Sequence, residues 1–187
     1  MLGLQGDVRE HLRALEDGGA TPVVVKTLGD LASVDGLVIP GGESTTIGKL
    51  LDRYELVDPL RDRIRAGMPA YGTCAGMILM AKDVVGPHEV PHRLSVLDVS
   101  VRRNAYGRQV DSFEADIDVD GLDERFRAVF IRAPVVERTG ADVHVLASCD
   151  GAPVLVRQGH LLASSFHPEI AGDGRIHHMF VDMLEKQ

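Results

Sequence analysis

Tryptophan is absent from this 187-residue chain, aromatic residues make up only 4 %, and there are two cysteines, Cys74 and Cys149. Two cysteines exclude a disulfide framework and point to a reducing compartment. No apolar stretch approaches the ~20 residues that a bilayer span requires, and the N-terminus lacks a charged region followed by an apolar one. A membrane role is therefore not expected, and a cytoplasmic setting is. Basic charge is also in deficit: the net charge is −8 and the pI near 5.4. Nucleic acid is excluded as a partner on that ground, since phosphate binding needs a basic face. Internal repeats and low-complexity segments are missing too. A composition of 44 % hydrophobic and 26 % charged residues over this length fits one globular domain across 1–187.

What is present is a nucleophile elbow. The apolar run Met68-Pro69-Ala70-Tyr71 leads into Gly72-Thr73-Cys74-Ala75-Gly76, the form of a strand that turns sharply into a helix with cysteine at the apex. Flanking glycines avoid a collision with neighbouring backbone, and a thiolate there faces the positive end of the following helix. A lone cysteine of this kind is more often simply buried. A base and an orienting group change that reading. Leu161 to Phe166 has strand character and runs into His167-Pro168-Glu169. In an extended segment residues i and i+2 share a side, which sets Glu169 beside the His167 imidazole. A nucleophile, base and orienter follow in that order.

A third element is the apolar strand Asp35 to Pro40, which empties into Gly41-Gly42-Glu43-Ser44-Thr45-Thr46. Paired glycines after a strand let backbone N–H groups approach a developing anion. The same loop serves as a helix start capped by Ser44 or Thr45. It lacks the Gly-Lys-Ser/Thr ending of a P-loop and the spacing of a dinucleotide fingerprint.

Together, Gly-Thr-Cys-Ala-Gly and His-Pro-Glu resemble the class I, triad-type glutamine amidotransferases. Five further blocks narrow the resemblance: Leu4 to His11, Pro40 to Thr46, Arg102 to Gln109, Val110 to Glu114 and Phe130 to Pro134. In this order they are similar to the glutaminase subunits of pyridoxal 5'-phosphate synthase, the PdxT/SNO family, over essentially the whole chain. The resemblance implies hydrolysis of L-glutamine to glutamate and ammonia through a cysteine thioester, with no cofactor and no metal. It implies Cys74 as nucleophile, His167 and Glu169 as its relay, and Gly41, Gly42 and Glu43 as a glutamine-binding loop. Arg103, Ile131 and Arg132 are implied to line the glutamine pocket, and the N–H groups of Gly42 and Ala75 to hold the oxyanion. The implied partner is the synthase (lyase) subunit that consumes the ammonia, with glutaminase activity weak until it docks. Family members usually carry more residues ahead of Leu-Gln-Gly, so a clipped first strand is expected here.

Two other readings use the same residues. A free-standing hydrolase such as a γ-glutamyl peptidase would turn over without a partner. A redox-sensing module of the cysteine-elbow superfamily often has histidine next to the cysteine, whereas position 75 is alanine. A metal site finds little support: His88 and His92 sit among prolines, and His177 and His178 are neighbours that point to different faces of a helix. His11 and His160 read as ordinary surface or packing residues, and Cys149 as structural.

Apolar strands and helical patterns alternate along the first half of the chain. Helix is expected at Val8 to Asp17 and over Thr46 to Ala66 with a break near Tyr54 to Asp58, and strand at Thr21 to Lys26 and Gly36 to Ile39. From Ser95 to Gln158 strand signals dominate, at Val96 to Val101, Val110 to Val119, Ala128 to Ile131, Val143 to Ser148 and Pro153 to Arg157. Gly86 to His92 reads as an exposed loop, and the chain closes with helix Arg175 to Glu185. The expected fold is a three-layer, doubly wound α/β structure, flavodoxin-like, with a mostly parallel sheet and an antiparallel portion.

Overall fold

A computed structural model of the chain describes residues 1–86, 89–103 and 112–185. In chain order the elements are α1 (Val8–Asp17), α2 (Leu28–Ala32), β1 (Leu37–Ile39), α3 (Ser44–Arg53), α4 (Val57–Arg65), β2 (Ala70–Thr73), α5 (Ala75–Met80), β3 (Ala81–Val85), β4 (Leu97–Arg102), β5 (Ser112–Ile117), β6 (Phe126–Ile131), β7 (Val135–Thr139), β8 (His144–Cys149), β9 (Ala152–Gln158), β10 (Leu161–Ser164) and α6 (Arg175–Glu185).

The main sheet runs β1-β2-β10-β9-β8. Strands β1, β2 and β10 are parallel, while β9 and β8 continue the sheet antiparallel. Strand alternation divides the core in two. Leu37, Ile39, Ala70, Leu161 and Ala163 face a cluster built with Ile47, Leu51, Leu60, Ile64 and Leu79 of α3, α4 and α5. Val38, Tyr71 and Leu162 point the other way, onto Leu15, Ile176, Phe180 and Val181 of α1 and α6. Helices therefore cover both faces, as the sequence pattern predicts. The carboxyl ends of β1, β2 and β10 open on one edge, which is where ligand sites form in such sheets. A second sheet, β3-β4-β7, and the hairpin β5-β6 make up the additional strand-rich portion.

The antiparallel portion is thus split between the main sheet and two smaller ones. Helix Val8–Asp17 agrees with expectation to the residue, and the expected helical stretch divides at Tyr54 to Leu56, where Glu55 takes a positive φ of 56°. Thr21 to Lys26 does not form the expected strand. Among the described residues its only ladder contact is an isolated parallel bridge between Val25 and Leu2. The first three residues fill the gap between this segment and β1: Leu2 N–H donates to the Val38 carbonyl, Gly3 N–H to that of Val25 and Val25 N–H to that of Met1. So short a partner cannot extend a ladder, and Val23 and Val24 stay more than a third exposed. Strands β3 and β7 were not anticipated. The block Asn104 to Asp111, the start of the strand expected at Val110, and His88 lie outside the described residues. Among the described residues no helix is long and apolar enough to cross a membrane.

Candidate active site

Cys74 sits between β2 and α5 at φ 47°, ψ −100°, a conformation rarely taken by a residue with a side chain. Close packing holds it there. Its N–H donates to the Ser164 carbonyl of β10 at 2.8 Å, and the two elbow glycines touch: a Cβ on Gly72 would lie 2.6 Å from the Gly76 carbonyl carbon. The Sγ comes within 3.9 Å of the Ile131 carbonyl oxygen at the end of β6. Arg132 follows at a positive φ of 44°, so a second strained residue borders the same cleft.

His167 and Glu169 come in on the loop after β10. The sequence reading placed them side by side through an extended segment. The structure instead bends them together in a turn, with Ile170 N–H donating to the His167 carbonyl at 3.3 Å and Ala171 N–H to that of Pro168 at 3.3 Å. The outcome is the same pairing: His167 Nδ1 donates to Glu169 Oε1 at 2.7 Å, with both residues buried. Burial pushes the imidazole toward its neutral form, but hydrogen bonds to Cys74 and Glu169, and the charges of those two groups, outweigh it and raise the His167 pKa to about 10. An imidazole in that condition holds its proton at neutral pH.

Gly41 is close to the ring. A Cβ there would press on His167 Cε1 and stand 2.9 Å from Nδ1, so the glycine is what admits the imidazole to its place. Gly42, at φ 150°, packs against the Gln5 side chain, whose Oε1 accepts from the Glu43 N–H at 3.0 Å. The cap of α3 differs from expectation. Glu43, not Ser44 or Thr45, stands at the N-cap, and its longer side chain reaches back to accept from the N–H groups of Thr45 at 3.0 Å and Thr46 at 2.7 Å, and from the Thr46 hydroxyl at 2.7 Å. Burial disfavours its ionisation, but these hydrogen bonds from Thr46 and Thr45 prevail and hold its pKa at about 2. Arg103 lies 3.5 Å from the same carboxylate.

The cleft has a volume of about 500 Å³ and gathers Cys74, His167, Gly42, Glu43, Arg103, Ile131 and Arg132 in its lining, with Gln5, Asp7, Ser44 and Ile78 beside them. Glu169 does not line this cleft: it stands behind His167, bonded to Nδ1, and borders a separate cavity beside Glu10 and Arg13, while Gly41 abuts the imidazole and Ala75 opens α5 directly after Cys74. The Ala75 N–H is among the first amides of a helix, which have no partner within it. Asp7, His167 and Glu169 bring one ligand atom each within 4.8 Å of one another, the only such group among the described residues. The Nδ1 of that histidine is already engaged by Glu169, and the set contains no thiolate. The arrangement suits nucleophilic attack on a small carbonyl substrate with charged ends.

Three residues near the site escaped the sequence reading. His11 is completely buried, so of its two readings, surface or packing, the second holds, but its polar partners were not foreseen: Nε2 faces Glu169 Oε2 at 3.4 Å and Thr73 Oγ1 at 3.3 Å. His177 is likewise buried, with its Nε2 2.7 Å from His11 Nδ1, while His178 on the next position is exposed. Gln5 was visible only as part of a block. The one usable signal was the α1 pattern itself, which puts His11 and the buried Leu15 on one face, four residues apart.

The family model described as the SNO glutamine amidotransferase family matches residues 1–186. A pyridoxal 5'-phosphate synthase subunit PdxT from Mycobacteroides abscessus is 58 % identical over 184 residues, covering 98 % of this chain and 95 % of that protein. The PdxT of Nocardia farcinica is 59 % identical over 190 residues, covering 98 % and 84 %. A crystal structure of a glutamine amidotransferase superposes with a TM-score of 0.92 at 51 % identity, over 98 % of this chain and 97 % of that one. The structure of PurLQS from Thermotoga maritima shares the fold at a TM-score of 0.64 and 17 % identity, over 100 % and 95 %. With a matching family model over nearly its whole length, a cysteine elbow at Cys74 and a buried His167–Glu169 pair, the chain belongs to the SNO glutamine amidotransferase family.

Proposed function

We infer that this chain is the glutaminase of a pyridoxal 5'-phosphate synthase: it hydrolyses L-glutamine to L-glutamate and passes the ammonia to a synthase subunit. The relatives that support this reading are named as PdxT subunits of that enzyme. The observation that carries the chemistry is the buried His167 imidazole, held to Glu169 at 2.7 Å and lining one cleft with Cys74 at the elbow.

In the proposed mechanism the proton of the Cys74–His167 pair rests on His167, and the Cys74 thiolate attacks the side-chain amide carbon of glutamine. The carbonyl π electrons move onto oxygen, where the N–H groups of Gly42 and Ala75 receive the charge. As the tetrahedral adduct collapses, the C–N bond breaks and His167 gives its proton to the leaving nitrogen, which departs as ammonia. Water then attacks the thioester, its proton passing to His167, and the C–S bond breaks to release glutamate and restore the pair. Glu169 fixes the imidazole tautomer and offsets its charge throughout. Arg103 and Arg132 supply positive charge for the α-carboxylate of the substrate, while Ile131 and the Gly41–Gly42–Glu43 loop complete the pocket. Ammonia released to bulk water would protonate and lose its nucleophilicity, so a docked synthase subunit that receives it directly fits the chemistry.

The test is glutamate release from glutamine by the chain alone and with a synthase subunit. Stimulation on mixing, with pyridoxal phosphate formed from glutamine, is the expected result. Steady turnover without a partner at the stimulated rate would favour the free-standing hydrolase instead.

A further inference from the structure

The mechanism above uses one oxygen of Glu169 and leaves the other unexplained. Oε1 accepts from His167, whereas Oε2 is buried and makes no hydrogen bond of normal geometry among the described residues. A carboxylate oxygen sealed from water without a donor is costly, because it gives up its hydration and gains nothing in return. The group that faces it is His11 Nε2, at 3.4 Å, from α1 on the far side of the sheet from the cleft helices.

The protonation of His11 follows from its other nitrogen. Nδ1 lies 2.7 Å from His177 Nε2, a separation that needs one N–H and one bare nitrogen. Burial, then the charges of His177 and His167, lower the His11 pKa well below the ordinary histidine range, and burial, then His178, lowers that of His177 to about 4, which favours the neutral form of both rings that the close contact between them also suits. Two assignments remain. If His11 carried its proton on Nδ1, a bare Nε2 lone pair would face the Glu169 carboxylate, and the buried Nδ1 of His177, which has no partner, would be an orphaned N–H. With the proton on Nε2, His11 donates toward Glu169 Oε2 and Thr73 Oγ1, accepts from His177 Nε2–H, and leaves His177 Nδ1 as a bare acceptor. Buried unpaired acceptors are tolerated better than unpaired N–H donors. The second assignment accounts for both unpartnered atoms.

We propose that His11 is a positioning residue for the catalytic base: its Nε2–H holds the second oxygen of Glu169, and His177 fixes the His11 tautomer from behind. A polar line then runs His177, His11, Glu169, His167, Cys74, from the α1 and α6 layer to the cleft. Its effect is to stop the carboxylate from rotating, so that Oε1 stays aimed at His167. Catalytic hydrogen bonds are often long without substrate and tighten when it binds, which suits the 3.4 Å spacing. This proposal rests on the triad reading of Cys74, His167 and Glu169.

The test begins with nitrogen-15 histidine spectra of the wild-type chain. His11 and His177 are expected as neutral rings, both protonated on Nε2, with a nitrogen–nitrogen coupling across the bond between them. A His11 proton on Nδ1, or an imidazolium, overturns the proposal whether or not any variant folds. The second arm is glutaminase activity with the synthase subunit present. His11→Asn keeps an acceptor near the Nδ1 position but removes the Nε2 donor, whereas His11→Gln carries an N–H near Nε2. His11→Asn is expected to lower kcat by about 10- to 100-fold, the range for losing a hydrogen bond to a charged group, with KM nearly unchanged. It is also expected to shift the His167 Nδ1 proton resonance, and His11→Gln to recover most of kcat. Wild-type kcat and an unmoved resonance in a folded His11→Asn protein would refute the positioning role. If Cys74→Ala still hydrolysed glutamine, the triad reading would fall while the tautomer result stood by itself.

Discussion

Gly41 is the most exacting position in the site, because its glycine is demanded by a neighbouring side chain and by no unusual φ of its own. In Gly41→Ala the new methyl would stand 2.9 Å from His167 Nδ1 and closer still to Cε1, where ordinary contact begins at 3.4 Å. The imidazole must then retreat by roughly half an ångström to one ångström, away from the position in which it meets both Cys74 and Glu169. Misplacing a catalytic group by ~1 Å costs on the order of 100-fold in rate, or about 2.7 kcal/mol of transition-state stabilisation. Buried Pro40 and the Gly41 segment keep their contacts, so the loss should fall on kcat. The assay is synthase-stimulated glutamate release as a function of glutamine concentration, with a melting curve to establish folding. A folded Gly41→Ala protein with wild-type kcat would show that the ring has room to spare and that the closeness of Gly41 to His167 has no catalytic meaning.

Glu169→Gln should bind glutamine yet form the thioester orders of magnitude more slowly, because an amide cannot offset the imidazolium; rapid-quench trapping of the acylated chain checks this, and wild-type acylation would mean that another group holds His167. Gly42→Ala sets a Cβ 2.5 Å from Gln5 Oε1 at a φ of 150°, so it should lower partner-stimulated turnover more than it weakens docking, as read by an activity assay beside a binding titration. The buried His177 should make the fold acid-sensitive. Its pKa is lowered to about 4 in the folded chain, so between pH ~6.5 and ~4 the unfolded state binds the extra proton and stability falls with pH, by about 3 kcal/mol over that window from this one group. His177→Phe, if it packs as well, should flatten the acid limb of denaturation; an unchanged limb would assign the sensitivity elsewhere. 

The parts of the site that lie close together along the chain were legible in the sequence. The cysteine elbow is written in five consecutive residues and the His167–Glu169 pair in three, and strand-to-loop patterning placed both at strand ends. The Gly41–Gly42 loop after β1 was legible for the same reason, although its cap was not: serine and threonine are ordinary N-caps, and only the fold shows Glu43 reaching Thr45 and Thr46. The contacts that stayed hidden join distant segments. His11 and His177 are separated by 166 positions, and a helical face alone does not say what it meets. Secondary structure failed where a local signal lacked a partner or was outweighed by one. Val23 to Val25 has strong strand propensity but only Met1 to Gly3 beside it. Strand β3 begins immediately after α5 with no breaking residue between them, and its existence depends on parallel pairing with β4. Strand β7, short and half exposed, exists because β4 offers its free edge.

The most direct measurement follows the amide nitrogen itself. Glutamine labelled with nitrogen-15 in its side-chain amide is supplied to the chain and a synthase subunit in a solution of unlabelled ammonium, and the pyridoxal phosphate formed is examined by mass spectrometry. The wild-type chain should yield product carrying the heavy nitrogen, and Cys74→Ala product carrying only the light nitrogen of the ammonium. Heavy nitrogen delivered equally well by Cys74→Ala, or product from the wild-type chain with no heavy nitrogen at all, would contradict a glutaminase that works through Cys74 and feeds a synthase.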